Sequence, residues 1–192
     1  ARIVAGIAER IRYDRGGGDA KNVVFSWCPF GGMEGLSLAE VARREGREPS
    51  PEGAAETLIG IELRGGCQAV FHAMAEEDVE RILRHPQTMV ASDGEISVFG
   101  EAAPHPRSYG TFARVLGRYV RERKLLTLQE AVRKMTSLPA SRVGLNDRGR
   151  IAEGMRADVV VFDPARIADR ATFTAPHQYA EGVRDVLVNG RP

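Results

Sequence analysis

Asp93 closes the short apolar run Met89-Val-Ala-Ser-Asp-Gly94, and His105-Pro-Arg-Ser-Tyr-Gly-Thr-Phe112 follows shortly after it. These residue types suit proton transfer and anion binding. In a parallel α/β fold, catalytic groups sit at the C-terminal ends of strands. A carboxylate placed there can take a proton from a metal-bound water and pass it to a departing amine. The Arg107 guanidinium can grip a carboxylate with two parallel hydrogen bonds. His105 either positions its loop or approaches a leaving group, and Ser108 and Tyr109 are placed to line a pocket. Taken by themselves, these residues also allow plainer readings. Asp-Gly is a common turn dipeptide, and Arg107 reads as a solvated loop arginine.

Metal ligands are harder to find. His72, His85, His105 and His177 show no His-x-His spacing, and two of them precede proline. His72 reads as a satisfied core histidine. Cys28 and Cys67 form no CxxC pair and lie in apolar surroundings, so both read as inert buried thiols. No metal ligand is assigned in this chain.

The elements that must position these groups follow from local signals. Ile3, Ile7 and Ile11 at helical spacing predict a helix over Arg2–Tyr13, broken by Gly16–Gly18. Ser37-Leu-Ala-Glu40 is a capping box that opens a helix to about Glu45. Ser50-Pro51 starts another, to about Leu63, with proline at the first helical position. Helices are also predicted over Glu76–Arg84, Thr111–Lys124 and, from the capping spacing Thr127-Leu-Gln-Glu130, to about Ser137. Asn22–Trp27, Gln68–His72 and Thr88–Ser92 read as short apolar strands, a pattern that suits parallel strands covered by helices. A long loop, Glu95–Ser108, follows the third strand. The tail differs: Gly149–Ile151, Ala157–Asp163 and Val183–Asn189 suggest a small antiparallel β unit. Asn189-Gly190 is its hairpin turn, and Leu145–Gly149 marks the boundary before it. Asp158 and Asp163 read as structural, near strand ends.

The 192 residues are enough for one domain or one domain plus part of another, and 43% are apolar, so a core can form. The net charge of +1 gives no ground to expect nucleic acid or an anionic membrane. The basic stretch Arg114–Lys124 reads as a solvated helix face. No apolar run reaches the roughly 18 residues of a membrane span. The cytoplasm is the expected compartment.

Three passages together resemble the N-acyl-D-amino-acid deacylases (D-aminoacylases) of the amidohydrolase superfamily. They are Met89–Gly94, His105–Phe112 continuing to Arg121-Glu122, and Gly149-Arg-Ile-Ala-Glu-Gly-Met-Arg-Ala-Asp-Val-Val-Val-Phe-Asp163 closed by Val186-Leu-Val-Asn-Gly190. The third alone says only amidohydrolase-like; the first two narrow it to the deacylases. The resemblance extends through Phe71-His-Ala-Met74 and is looser before about residue 65.

This resemblance implies an α/β fold: the last part of a (β/α)8 barrel over residues 1–145 and part of a small β-sandwich over 146–192. It implies zinc-dependent hydrolysis of an N-acyl-D-amino acid to a carboxylate and a D-amino acid. Asp93 would be the catalytic carboxylate and Arg107 the holder of the substrate α-carboxylate, with His105 and Ser108 beside it. The family's His-x-His pair, metal-binding cysteine and later histidines have no match here, so the zinc ligands are expected upstream of Ala1. The chain by itself is then expected to be inactive, and to self-associate or attach to that missing portion. Two alternatives stay open: an amidohydrolase acting on cyclic amides, and a non-catalytic fragment or split-enzyme half.

Overall fold

The computed structural model describes residues 1–101 and 104–192, which fall into two compact units, Ala1–Ala75 and Glu76–Pro192. Positions 102 and 103 of the predicted long loop lie outside the described residues.

The first unit begins with α1 (Arg2–Tyr13), then two short 3-10 turns, Gly16–Gly18 and Ala20–Asn22. β1 (Val23–Trp27) leads to α2 (Leu38–Arg44) and α3 (Pro51–Glu62), and β2 (Gln68–Phe71) closes the unit. Both predicted caps form. The Ser37 hydroxyl accepts from the Glu40 N–H while the Glu40 carboxylate accepts from the Ser37 N–H at 2.8 Å, which satisfies donors the first helical turn leaves over. Ser50 accepts from the Gly53 N–H at 3.2 Å, with Pro51 at the start of α3. Val23, Phe25, Leu38, Val41 and Ile61 are all buried to within 2% of complete and form one core with Ile11 and Cys28.

Three expectations for this unit are corrected. The strands β1 and β2 pair antiparallel, Val23 opposite Phe71 and Phe25 opposite Ala69, rather than parallel. Apolar runs report burial on both faces but not the direction of the partner. That pairing also sets Trp27 opposite Gln68, so the flanking cysteines meet with Cα atoms 4.4 Å apart. Cys28 and Cys67 are a disulfide, not two inert thiols. Finally, His72 is exposed rather than in the core; its backbone N–H donates to the Asn22 carbonyl at 2.8 Å.

The second unit holds α4 (Glu76–Arg84), α5 (Arg107–Arg114) running on into a π-helical stretch (Val115–Glu122), α6 (Leu128–Met135), α7 (Ser137–Arg142), β3 (Val159–Phe162) and β4 (Val183–Leu187). Its core is Leu83, Ala113, Val115, Leu116, Tyr119, Ala131 and Ile167, with Val90 packed against it. β3 and β4 pair antiparallel, and Val188 bridges Arg191 across Asn189-Gly190, the hairpin turn the dipeptide predicts. Asp158 accepts from the Asn189 N–H at 2.8 Å and pairs with Arg148 at 2.9 Å, while Asp163 accepts from the Ala165 N–H at 2.8 Å. Both aspartates are structural, as their positions at strand ends suggest. Leu145–Gly149 lies within this unit.

No strand forms at Thr88–Ser92 or Gly149–Ile151. The segment before Asp93 is instead held by a buried lysine. The Lys134 ammonium, fully enclosed, donates to the carbonyls of His85 and Thr88, and the Lys134 carbonyl accepts from the Val90 N–H at 3.1 Å. Burial, its largest cause, pulls the Lys134 pKa down.

The long helix from Arg107 to Glu122 lies against the backbone of Ile167–Asp169. A Cβ on Gly117 would stand 2.6 Å from the Ile167 carbonyl oxygen, and one on Gly110 would stand 2.7 Å from Asp169 Cβ. Only bare backbone allows that approach. Arg114 to Asp169 at 2.9 Å, and Arg121 to the Ile167 carbonyl, fasten the same contact.

Candidate active site

The predicted loop was to reach Ser108, but α5 already begins at Arg107, behind Pro106 at its N-cap. Arg107 and Ser108 therefore occupy the first helical turn, a more rigid mount than a loop.

Asp93 and Arg107 meet. A carboxylate oxygen of Asp93 lies 2.8 Å from the Arg107 guanidinium. The Asp93 side chain is 83% exposed and that of Arg107 42%, and such surface pairs are worth only about 0–1 kcal/mol. The pair is too weak to be a fold-holding device; what it records is that the two groups stand side by side at the surface. Asp93 also sits at φ 48°, in the left-handed region that non-glycine residues seldom adopt and that is enriched at working sites.

Gly94 explains why the dipeptide is Asp-Gly. A Cβ there would come within 2.9 Å of Ser108 Cα, so the chain after Asp93 can press against the start of α5 only without a side chain. Two further bonds hold the approach: the Ser92 hydroxyl accepts from the Gly94 N–H at 3.2 Å, and the Ser108 hydroxyl accepts from the Glu95 N–H at 3.2 Å. Ser108 Oγ, occupied as an acceptor, keeps its own proton available to donate.

His105 lies on the other side of Arg107. Its Nδ1 accepts from the Arg107 N–H at 3.1 Å, and its ring meets Phe173 edge to face at 5.1 Å. Partial burial, then the Arg107 cation, hold its pKa below the usual 6.5, while Asp93 opposes them. A cleft of about 360 Å³ opens here, lined among others by His105, Arg107, Thr111, Arg114, Asp169 and Phe173. Arg107 is the link among them: its guanidinium meets Asp93, its backbone N–H donates to His105, and Ser108 follows it and accepts from the Glu95 N–H. His72 belongs to the first unit.

Two contributors carried no signal in the sequence. Phe173 and His177 come from the lobe between Asp163 and Gly182, whose neck is closed by the Ala168–Glu181 bridge. His177 Nδ1 lies 2.9 Å from the Tyr109 hydroxyl, a partner 68 positions away. No local pattern announces such a contact.

Among the described residues, no group of three or more His, Cys, Asp or Glu side chains could hold a metal ion. These residues do not by themselves make a metal centre.

The chain is similar to known proteins along most of its length. The chain is 44% identical to the N-acyl-D-glutamate deacylase of Alcaligenes xylosoxydans xylosoxydans over 195 residues, 92% of this chain and 39% of that protein. It is 42% identical to the D-aminoacylase of the same organism over 174 residues, 90% of this chain and 34% of that protein. Among solved structures, it is similar to the N-acyl-D-glutamate deacylase from Bordetella bronchiseptica, complexed with zinc and a phosphonate mimic of the tetrahedral intermediate. That match has a TM-score of 0.76 at 42% identity and covers 96% of this chain and 36% of the other. A D-aminoacylase structure matches with TM-score 0.74 at 40% identity, over 88% of this chain and 34% of its own. The chain thus spans less than two fifths of the length of the curated relatives it matches. The amidohydrolase family model matches residues 33–192, and the chain belongs to that family.

Proposed function

We propose that the complete protein hydrolyses the amide bond of N-acyl-D-amino acids, releasing a carboxylate and a free D-amino acid, and that Asp93, Arg107, Ser108 and His105 form part of that site. The observation that carries this reading is the meeting of Asp93 and Arg107 at 2.8 Å at the head of α5. The similarity to deacylases over most of the chain supports it.

In this reading, Arg107 exchanges its grip on Asp93 for the α-carboxylate of the substrate, held by two parallel hydrogen bonds, and Ser108 adds a third donor. With the carboxylate fixed, only one enantiomer turns its amide carbonyl toward Asp93. Water adds to that carbonyl carbon and the C–N bond breaks. Asp93 takes the proton from the attacking water and delivers it to the departing nitrogen. His105, kept neutral by burial and by Arg107, shapes the pocket beside the guanidinium. The Bordetella neighbour holds zinc; we assign zinc to the complete protein, with its donors outside the described residues, and route no step through it.

In the complete protein we assign residues 1–145 to a (β/α)8 barrel and 146–192 to a small β-sandwich. Ile3, Leu63 and Phe71, each at least 46% exposed, line one largely apolar cleft of the first unit, and apolar surface gathered in this way supports burial against further protein, either another copy of the chain or the rest of a longer one. No described helix is long and apolar enough to cross a membrane.

Steady-state kinetics test the core claim. In the complete zinc-loaded protein, Asp93→Asn should lower kcat by roughly 10²–10⁴ with little change in KM, the usual range for a lost proton carrier. Wild-type turnover in that variant would remove Asp93 from the mechanism. Hydrolysis of a cyclic amide but of no N-acyl-D-amino acid would instead overturn the substrate class.

A further inference from the structure

We propose that His177 is a positioning residue of this site: its neutral imidazole, accepting on Nδ1, latches the loop after Asp93 to the helical turn that carries Arg107 and Ser108. The inference rests on the substrate-binding role given above to Arg107.

The lobe 163–182 reaches the site with two rings. Phe173 meets His105, two residues before Arg107, and His177 meets Tyr109, two residues after it. The turn that holds Arg107 and Ser108 is thus bracketed on both sides by one lobe. The lobe is itself anchored to the same helix through Arg114–Asp169 and Arg121–Ile167. His177 also reaches the opposite wall. The Gly100 N–H donates to its Nδ1 at 3.2 Å, and Phe99 packs on His177 at 5.4 Å, stacks on Tyr179 at 5.1 Å and meets Tyr109 edge-on at 6.3 Å.

The chemistry of Nδ1 follows. A backbone N–H can only donate, so Nδ1 must present its lone pair, and the ring carries its proton on Nε2. The Tyr109 hydroxyl, at 2.9 Å from the same nitrogen, is then a second donor, the nearer of two that share this one lone pair in a three-centre bond. One nitrogen therefore joins loop and helix: the loop that leaves Asp93, gripped at Gly100, and the helix that begins with Arg107. Misplacing a substrate-orienting group by about 1 Å costs up to about 100-fold; here the group displaced is Arg107, which holds the substrate carboxylate and not the reacting bond, so slack in this latch is read chiefly in KM.

The test uses the complete protein and two substitutions. His177→Phe keeps a ring for Phe99 and Tyr109 but removes the acceptor, whereas His177→Asn places an amide oxygen near the position of Nδ1. Hydrogen exchange read on peptides covering 95–101 and 104–110 should quicken about tenfold in His177→Phe, as loss of a backbone hydrogen bond predicts, and return toward wild type in His177→Asn. KM for an N-acyl-D-amino acid should rise about tenfold in His177→Phe with kcat changed less than about threefold, again with recovery in His177→Asn. Should His177→Phe not fold, ¹⁵N shifts of the histidine ring in the unaltered protein decide the matter, and a proton on Nδ1 rather than Nε2 overturns the latch. Unchanged exchange in His177→Phe also overturns it, and faster exchange with an unmoved KM overturns the positioning role. Failure of the unaltered protein to hydrolyse N-acyl-D-amino acids overturns the functional reading instead; exchange and tautomer then still judge the latch.

Discussion

Arg107 is the residue on which three neighbours depend: it pairs with Asp93, donates its backbone N–H to His105 and begins the turn that Ser108 completes. Its charge therefore acts on His105, whose pKa is lowered first by burial and second by this cation. We expect an NMR titration of His105 with a midpoint below 6.5. Phe173→Ala, which opens the ring to water, should raise that midpoint more than Arg107→Gln does. The sign for stability follows. A group whose folded pKa is depressed contributes fully above its unfolded value and loses that contribution as pH falls through the folded one, so this site adds stability near neutrality and gives it up in acid. A midpoint at or above 6.5 would contradict the burial argument. Asp93 and Arg107 could be singled out from sequence because each stands in a short motif. Their contact was not legible, because a loop of unspecified path separates them. The roles of Phe173 and His177 were beyond reach, since nothing near either residue in sequence points to His105 or Tyr109.

Elements whose signals are complete within four residues were legible, and those that need a distant partner were not. Ser37 with Glu40, and Ser50 with Pro51, contain their whole argument, and α2 and α3 start where those pairs place them. Thr88–Ser92 has the composition of a strand, but a strand also needs a neighbour to pair with, and this segment's fixed backbone bond runs from Val90 to α6. Lys134 takes over much of the holding. Its enclosed ammonium serves the carbonyls of His85 and Thr88, on the stretch that delivers Asp93. Lys134→Met keeps the buried stem and leaves two carbonyl oxygens without their donor. His85 and Thr88 are not fully buried, so water can serve their carbonyls in part, and the two together should cost about 1–3 kcal/mol, the range usual for one fully buried unsatisfied group, read as a loss in denaturant unfolding. Hydrogen exchange at 85–92 should rise more than exchange within α5. Full stability in Lys134→Met would mean that the ammonium is dispensable to the segment.

At the scale of the whole chain, composition foretold a core but not how it is divided. Apolar content and near-zero net charge are sums over all residues; the two compact units are a property of who touches whom. The first unit has a small core that includes Cys28, with Cys67 packed against it, and their disulfide closes a loop with a sequence separation of 39. Two cysteines so far apart in sequence read as unrelated until β1 and β2 pair and bring their flanks together. A cross-link of that span restricts the unfolded chain, which in the chain-entropy account stabilises the fold by roughly 2–4 kcal/mol. Cys28→Ala combined with Cys67→Ala should therefore lower the unfolding free energy by that amount, read as faster hydrogen exchange in peptides from β1 and α3. The bond also bears on the compartment. Cytosolic thiol pools keep most cysteines reduced, whereas disulfides persist in oxidising surroundings. Protein trapped from cells with a thiol-blocking reagent should thus carry two blocked cysteines if it resides in the cytoplasm, and none if the bond forms in place. Equal stability of the double variant and the parent would show that strand pairing and the Phe25 core hold this unit without the cross-link.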